Sequence, residues 1–189
     1  SVYRGVYNAV SEVNVLRQPK GQFLGELGSI ASQRPEGARS NTQNLGANIG
    51  SVVSAWQAGT LHERVAAAVE REFFRFERAN WQPGEIRQRV YLNAAADHAT
   101  GLMRFVVEQI VDDPARFPGV EMAKISGPAS VGSRSENIVI YTRGSASTPW
   151  PGLSGSRRLG GFWPLADWWR ADAARMVTAP ALCGRPLLA

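Results

Sequence analysis

Residues 86–142 switch between two hydrophobic periodicities, and that switch constrains the fold more than any other feature of this 189-residue chain. From Ile86 to Ala94 the sequence alternates, with Val90, Leu92 and Ala94 on one side and Arg89, Tyr91 and Asn93 on the other, the two-residue repeat of a half-buried strand. The repeat then lengthens. Leu102, Phe105, Val106, Gln109 and Ile110 recur at helical intervals, Asp97 is placed to cap that helix, and Asp112-Asp113-Pro114 stops it. Val120 to Ser126 and the β-branched run Ile138 to Thr142 return to strand character across a loop from Gly127 to Asn137. The resulting β-α-β-β unit predicts an α+β fold, a small mixed or antiparallel sheet packed by helices. If the first two strands pair in parallel, their helical crossover should be right-handed and cover one sheet face.

The flanks are read by the same rules. Thr60-Leu61-His62-Glu63 has capping-box spacing, and Val65, Ala68, Val69, Glu72, Phe73 and Phe76 continue at helical intervals, which predicts one helix through Phe76 and its end before Pro83-Gly84. Gly28 to Gly50 is rich in Ser, Asn, Gly and Gln, which predicts a surface loop with turn-forming asparagines. No repeat or low-complexity block interrupts residues 1–143, so they are expected to form a single α+β domain. After Gly144 the composition changes: four of the six tryptophans fall in residues 144–189, among Gly, Pro, Ser and Arg. There Leu165 to Met176 has the pattern of a short amphipathic helix, beside a flexible stretch from Gly152 to Gly161.

Composition narrows the chemistry. The hydrophobic share of 44% and charged share of 20% are those of a chain that folds alone. A single cysteine, Cys183, excludes a disulfide framework and any multi-cysteine metal site, and no cofactor or metal is expected. No apolar run approaches the ~18 residues of a membrane span. The net charge of +5 comes from nineteen arginines against two lysines, Lys20 and Lys124. These arginines are interleaved with acids along the chain, unlike the one-sided clustering of a nucleic-acid binder, so no nucleic acid is expected as a partner. The Walker phosphate loop, the G-x-S-x-G elbow and the H-E-x-x-H zinc helix are all missing, and Gly152-Leu153-Ser154-Gly155-Ser156 lacks the elbow's spacing. The chain begins at Ser1 without Met, so its first residue says nothing about a leader.

The order of residues from Arg89 to Tyr141 resembles the type III secretion effectors of the HopA family and related domains of lanthipeptide biosynthetic clusters. Arg89-Val90-Tyr91-Leu92-Asn93 looks like that family's R-V-Y-[WL]-N strand. The helix with Ala99, Leu102 and Met103 follows, then Phe117-Pro118, Ala123-Lys124, and finally Arg134, Asn137 and Ile138 to Tyr141. The resemblance implies a secreted bacterial virulence protein delivered into a host cell, whose partners are a host protein or phosphopeptide and a secretion chaperone. It also implies a fold similar to that of phosphothreonine lyases, which eliminate phosphate without a metal. Their K-x-H strand would fall at Arg89-Val90-Tyr91, so this chain departs from the pattern at both the base and the acid. A second resemblance, of Tyr3-Arg4-Gly5 to the first motif of mono-ADP-ribosyltransferases, would need an E-x-E turn, and Glu70-Arg71-Glu72 falls inside the predicted helix.

The residues themselves support a phosphate site in outline. Arg89, Tyr91 and Asn93 project from one strand face, and Lys124 and Arg134 are expected to flank them, so Arg89, Arg134 and Asn93 are the candidate phosphate ligands. Lys124, partly buried beside arginines, is the candidate base and Tyr91 the candidate proton donor. Against this stands a simpler expectation, that these groups form a solvated face with ion pairs to Glu85, Glu121 or Glu136. A binding module and a phosphate-eliminating enzyme both remain open at this point.

Overall fold

In a computed structural model the described residues are 15–34, 36–79, 88–134 and 136–143. All of them lie in the first of two compact units, Ser1–Ser145 and Ala146–Ala189. Tyr3-Arg4-Gly5, Glu85, the Leu165 to Met176 helix and Cys183 fall outside the described residues. In chain order the elements are α1 (Lys20–Ser32), β1 (Arg39–Thr42), α2 (Ile49–Gln57), α3 (Glu63–Arg71), β2 (Phe73–Glu77), β3 (Gln88–Leu92), α4 (Ala99–Val106), β4 (Val120–Ser126) and β5 (Ile138–Thr142). A 3-10 turn, Ala96–His98, leads into α4, and a π turn, Val107–Val111, prolongs it to the stop at Asp112.

The five strands form one sheet in the order β1-β2-β4-β5-β3, and every neighbouring pair is antiparallel. The architecture is α+β. Strands β3 and β4, joined by α4, run in the same direction but do not pair, because β5 lies between them and bonds antiparallel to both. The parallel pairing is therefore replaced by a split β-α-β unit.

One sheet face carries the core. Phe74, Phe76, Ala123, Ile125, Ile138 and Ile140 are all fully buried there. Phe23, Leu24, Leu27 and Ile30 of α1, with Met103, Val106, Val107, Ile110 and Val111 of α4 and its π turn, supply the helical side of the same core. Buried apolar side chains of this size stabilise by roughly 1.5–3 kcal/mol each before the cost of ordering the chain.

Four local expectations are corrected. The helix after Thr60 ends at Arg71, not Phe76: Glu72 turns extended, with ψ 159°, and its Oε1 accepts the Phe73 amide at 2.9 Å. Only a strand can send Phe74 and Phe76 to one face, since on a helix they would point about 200° apart. The cap of α3 is His62, whose Nδ1 accepts the Arg64 amide at 3.3 Å, while the Thr60 hydroxyl donates to the Ala55 carbonyl at 3.1 Å.

The Gly28 to Gly50 stretch is largely structured. It holds the end of α1, all of β1, and Asn48, whose side chain caps α2 by accepting from Gly50 and Ser51. Its first glycine, Gly28, is a helix contact, as are Gly21 and Gly25 earlier in α1: added side-chain carbons at Gly21, Gly25 and Gly28 would meet Trp56, Gln57 and Val53 of α2 at 3.3–3.4 Å, so the glycines let the two helices approach closely. Asp97, finally, does not cap α4. Its Oδ1 accepts the backbone amides of Arg17 at 2.7 Å and Gln18 at 3.0 Å, pinning the segment that enters α1.

Two outcomes follow from these contacts. The Gln18 and Arg17 amides hold the Asp97 carboxyl below the usual aspartate range. A depressed folded-state pKa gives a contribution present above the unfolded-state value and lost as pH falls through the folded one. The amide resonances of Arg17 and Gln18 should therefore shift on acidification with a midpoint below that of a free aspartate, and Asp97→Asn should abolish that step. At Gly127 an added Cβ would sit 2.5 Å from the Glu70 carbonyl oxygen. Gly127→Ala should thus lower stability by about 1–3 kcal/mol, as overpacking against fixed backbone does, read as a fall in melting temperature.

Candidate functional site

The face opposite the core has a different composition, set by strand register. Residues opposite one another in a ladder share a face, and one such row runs Asn41, Arg75, Lys124, Val139, Tyr91. The next runs Arg39, Glu77, Met122, Tyr141, Arg89, and beyond Lys124 lies the pair Phe73 and Ser126. Met122, Val139 and Tyr141 are buried and form an apolar cluster in the middle of this face.

Three of the five candidate residues converge on two rings. The Lys124 ammonium lies 4.3 Å from the centroid of Phe73 and 5.3 Å from that of Tyr141. Arg134, from the loop between β4 and β5, places its guanidinium 4.6 Å from Phe73, and Arg89 lies 5.4 Å from Tyr141. Each ring thus carries two cations, attracted to its quadrupole by about 0.5–1 kcal/mol apiece where exposed. The ammonium of Lys124 is shared between the rings and ties the two ends of the cluster together.

Of the three acids expected to pair with these cations, Glu85 lies outside the described residues. Glu121 pairs with Arg143 at 3.4 Å. Among the described residues no carboxylate lies within ion-pair distance of Arg89, Lys124 or Arg134. Arg75, directly opposite Lys124, is instead paired locally with Glu77 at 3.5 Å and donates to the Asn41 side-chain oxygen at 3.1 Å. Among the described residues three positive groups are therefore gathered without a paired carboxylate, an arrangement that favours an incoming anion.

The other two candidates stand further off. Tyr91 shares the row of Lys124 but is separated from it by Val139, about 10 Å across two strand spacings. Its side chain is 49% exposed, so it is open to solvent and ligand. Asn93 lies past the end of β3 and is exposed. The neighbouring Ala94 is fixed, because the buried Asn137 side chain accepts its amide at 3.0 Å and donates to its carbonyl at 2.7 Å.

Asn137 also donates to the Val131 carbonyl at 3.3 Å, so one amide sets the end of β3 against the loop that carries Arg134. That loop is further strapped to α3 by Gly127, which donates to the Glu72 carbonyl at 2.7 Å, and by Ala129, which donates to the Glu70 carbonyl at 2.9 Å.

Sequence reasoning overlooked Phe73, Arg75 and Ser126 as members of this face. The available signal was the alternation of Phe73 to Glu77, hidden because the same residues also fit a helical repeat. The Glu70-Arg71-Glu72 triplet of the second resemblance is spent on structure: Glu70 pairs with Lys20 at 2.5 Å, and the buried Glu72 accepts from Phe73 and from the Asn44 amide at 3.1 Å. Among the described residues no group of His, Cys, Asp and Glu is arranged to hold a metal, and no helix is long and apolar enough to cross a membrane.

Comparison with known proteins bears on the fold. No protein-family model matches the sequence. A 52-residue stretch is 42% identical to part of the tetraacyldisaccharide 4'-kinase of Methylibium petroleiphilum, a match that spans 28% of this chain and 14% of that protein. So short a match carries no activity with it. Among solved structures, the effector protein of Pseudomonas syringae pv. tomato strain DC3000 aligns with a TM-score of 0.51 at 14% identity, over 98% of this chain and 70% of that one. The effector protein of Pseudomonas syringae pv. syringae strain 61 aligns with a TM-score of 0.50 at 15% identity, over 70% of this chain and 49% of that one. This chain spans about half the length of the strain 61 protein, and at these identities the likeness is one of fold: the chain has the fold of these bacterial effectors.

Proposed function

We propose that this chain is an effector-like protein of the HopA type, secreted into a host cell, that binds a phosphorylated segment of a host protein on the Phe73–Tyr141 face. The observation that carries the reading is the set of cations, Lys124, Arg134 and Arg89, held on two aromatic rings with no carboxylate paired to them among the described residues. Holding cations on rings positions them without neutralising them. A phosphate entering the cluster replaces weak ring contacts with charge-assisted hydrogen bonds, which are roughly twice as strong as neutral ones. The likeness of fold to bacterial effectors supports the same reading. The excess of positive charge adds long-range attraction for a phosphorylated partner.

Phosphate elimination is the competing reading. It would take a proton from the carbon next to the carbonyl onto Lys124, break the carbon–oxygen bond, and give the departing phosphate a proton from Tyr91. The strand spacing between Lys124 and Tyr91 favours binding over this concerted use of the two groups.

Calorimetric titration with a phosphothreonine peptide and its unphosphorylated twin, with phosphate release assayed in parallel, separates the readings. Selective binding of the phosphopeptide is expected, weakening with salt and falling tenfold or more in Lys124→Ala, on the order of a lost hydrogen bond to a charged group. Equal binding of the two peptides would remove the phosphate site. Phosphate release that disappears in Lys124→Ala would identify a lyase instead.

A further inference from the structure

We propose that the Ser126 hydroxyl is the third ligand of the anion held by Lys124 and Arg134, so that the site is built for a tetrahedral phosphate monoester seated at the Phe73 end of the face. The inference rests on the phosphate reading above and adds to it a residue, a location and a geometry.

Ser126 is fully buried, and its Oγ has no hydrogen-bond partner. Buried polar atoms are nearly always paired, and one left unpaired destabilises the protein that carries it unless something else satisfies it. Two other orphaned hydroxyls, those of Ser40 and Thr42, lie opposite Phe76 and Phe74 on the core side of the sheet, away from any anion. Ser126 differs from them in its surroundings. It alternates with Lys124 along β4, about 7 Å away, and lies opposite Phe73, the ring on which both Lys124 and Arg134 rest.

The backbone of Ser126 is immobilised on both sides. Its amide donates to the Asn137 carbonyl at 3.0 Å, and the next amide, of Gly127, donates to Glu72. Rotation about χ1 is therefore the freedom left to the hydroxyl. Reaching the buried hydroxyl requires a neighbouring side chain to shift, and in the proposed site that shift falls to Arg134, whose stacking on Phe73 is weak relative to the hydrogen bonds an anion offers it.

Three donors turned toward one anion would match a phosphate monoester, whose three terminal oxygens diverge. A carboxylate has two coplanar oxygens, which Lys124 and Arg134 already satisfy. Ser126 thereby separates a phosphothreonine from a glutamate at the same position of a peptide.

The test compares wild type, Ser126→Ala and Lys124→Ala, titrated with a phosphothreonine peptide and with the same peptide bearing glutamate, alongside thermal melts of the free proteins. Ser126→Ala should melt at or above the wild-type temperature, because it deletes an unsatisfied group, yet bind the phosphopeptide about tenfold more weakly with its glutamate affinity unchanged. A merely structural serine would move the melting temperature down and leave selectivity alone, and that result overturns the assignment. So does a Ser126→Ala affinity equal to wild type when Lys124→Ala has weakened binding, which leaves the phosphate reading standing. Wild-type protein that does not prefer the phosphopeptide would remove both.

Discussion

The buried side chain of Asn137 is the junction on which the arrangement of the cationic face depends. It accepts from Ala94, donates to Ala94 and Val131, and its backbone joins Leu92 and Ser126. Strands β3, β4 and β5 and the loop bearing Arg134 are thereby referred to one residue. Such a fully used amide in a dry site is worth more than its separate bonds, because removing it strands several partners at once. The aromatic rings then set direction: Phe73 and Tyr141 hold charged groups that would otherwise repel one another apart.

At the opposite end of the sheet arginine does a different job. Arg78 donates to the carbonyls of Val111, Phe117 and Pro118, closing the end of the helix that α4 begins. Arg34 reaches the same region, bonding Asp112 at 2.9 Å and the Glu77 carbonyl. Burial pushes the Asp112 carboxyl up and the Arg34 guanidinium down, so for both partners desolvation outweighs attraction. The pair is better understood as a fixer of geometry between β2 and the helix end than as a source of stability. The arginine-rich composition thus divides between carbonyl capping here and cation–ring contacts on the open chemistry of the other face, and neither use requires a nucleic acid.

Much of the β-α-β-β unit was legible because its segments obey one period at a time. Val120–Ser126 and Ile138–Thr142 have the expected bounds, and the helix stops at Asp112. Legibility failed where two periods overlap. Val69, Glu72, Phe73 and Phe76 fit a helix, while Phe74 and Phe76 fit a strand, and burial of both rings decided for the strand. It failed again where composition was read without position, since Gly28 serves helix packing and Asn48 serves a cap. For the site, residue type along β3, β4 and the loop after β4 brought Arg89, Lys124 and Arg134 into view. Their meeting on Phe73 and Tyr141 was not legible, because it depends on which strands are neighbours, and no local pattern encodes that.

The insertion of β5 between β3 and β4 bears on how the chain acquires its structure. Strand β3 has no ladder partner among the described residues until Ile138–Thr142 has been synthesised and has threaded into place. Its contacts are long-range, so the entropy of closing the intervening chain is spent before any hydrogen bond repays it. The strand bearing Arg89 and Tyr91 is therefore a late arrival, and a chain refolding from the unfolded state would regain its helical core before it regained the sheet edge formed by β3.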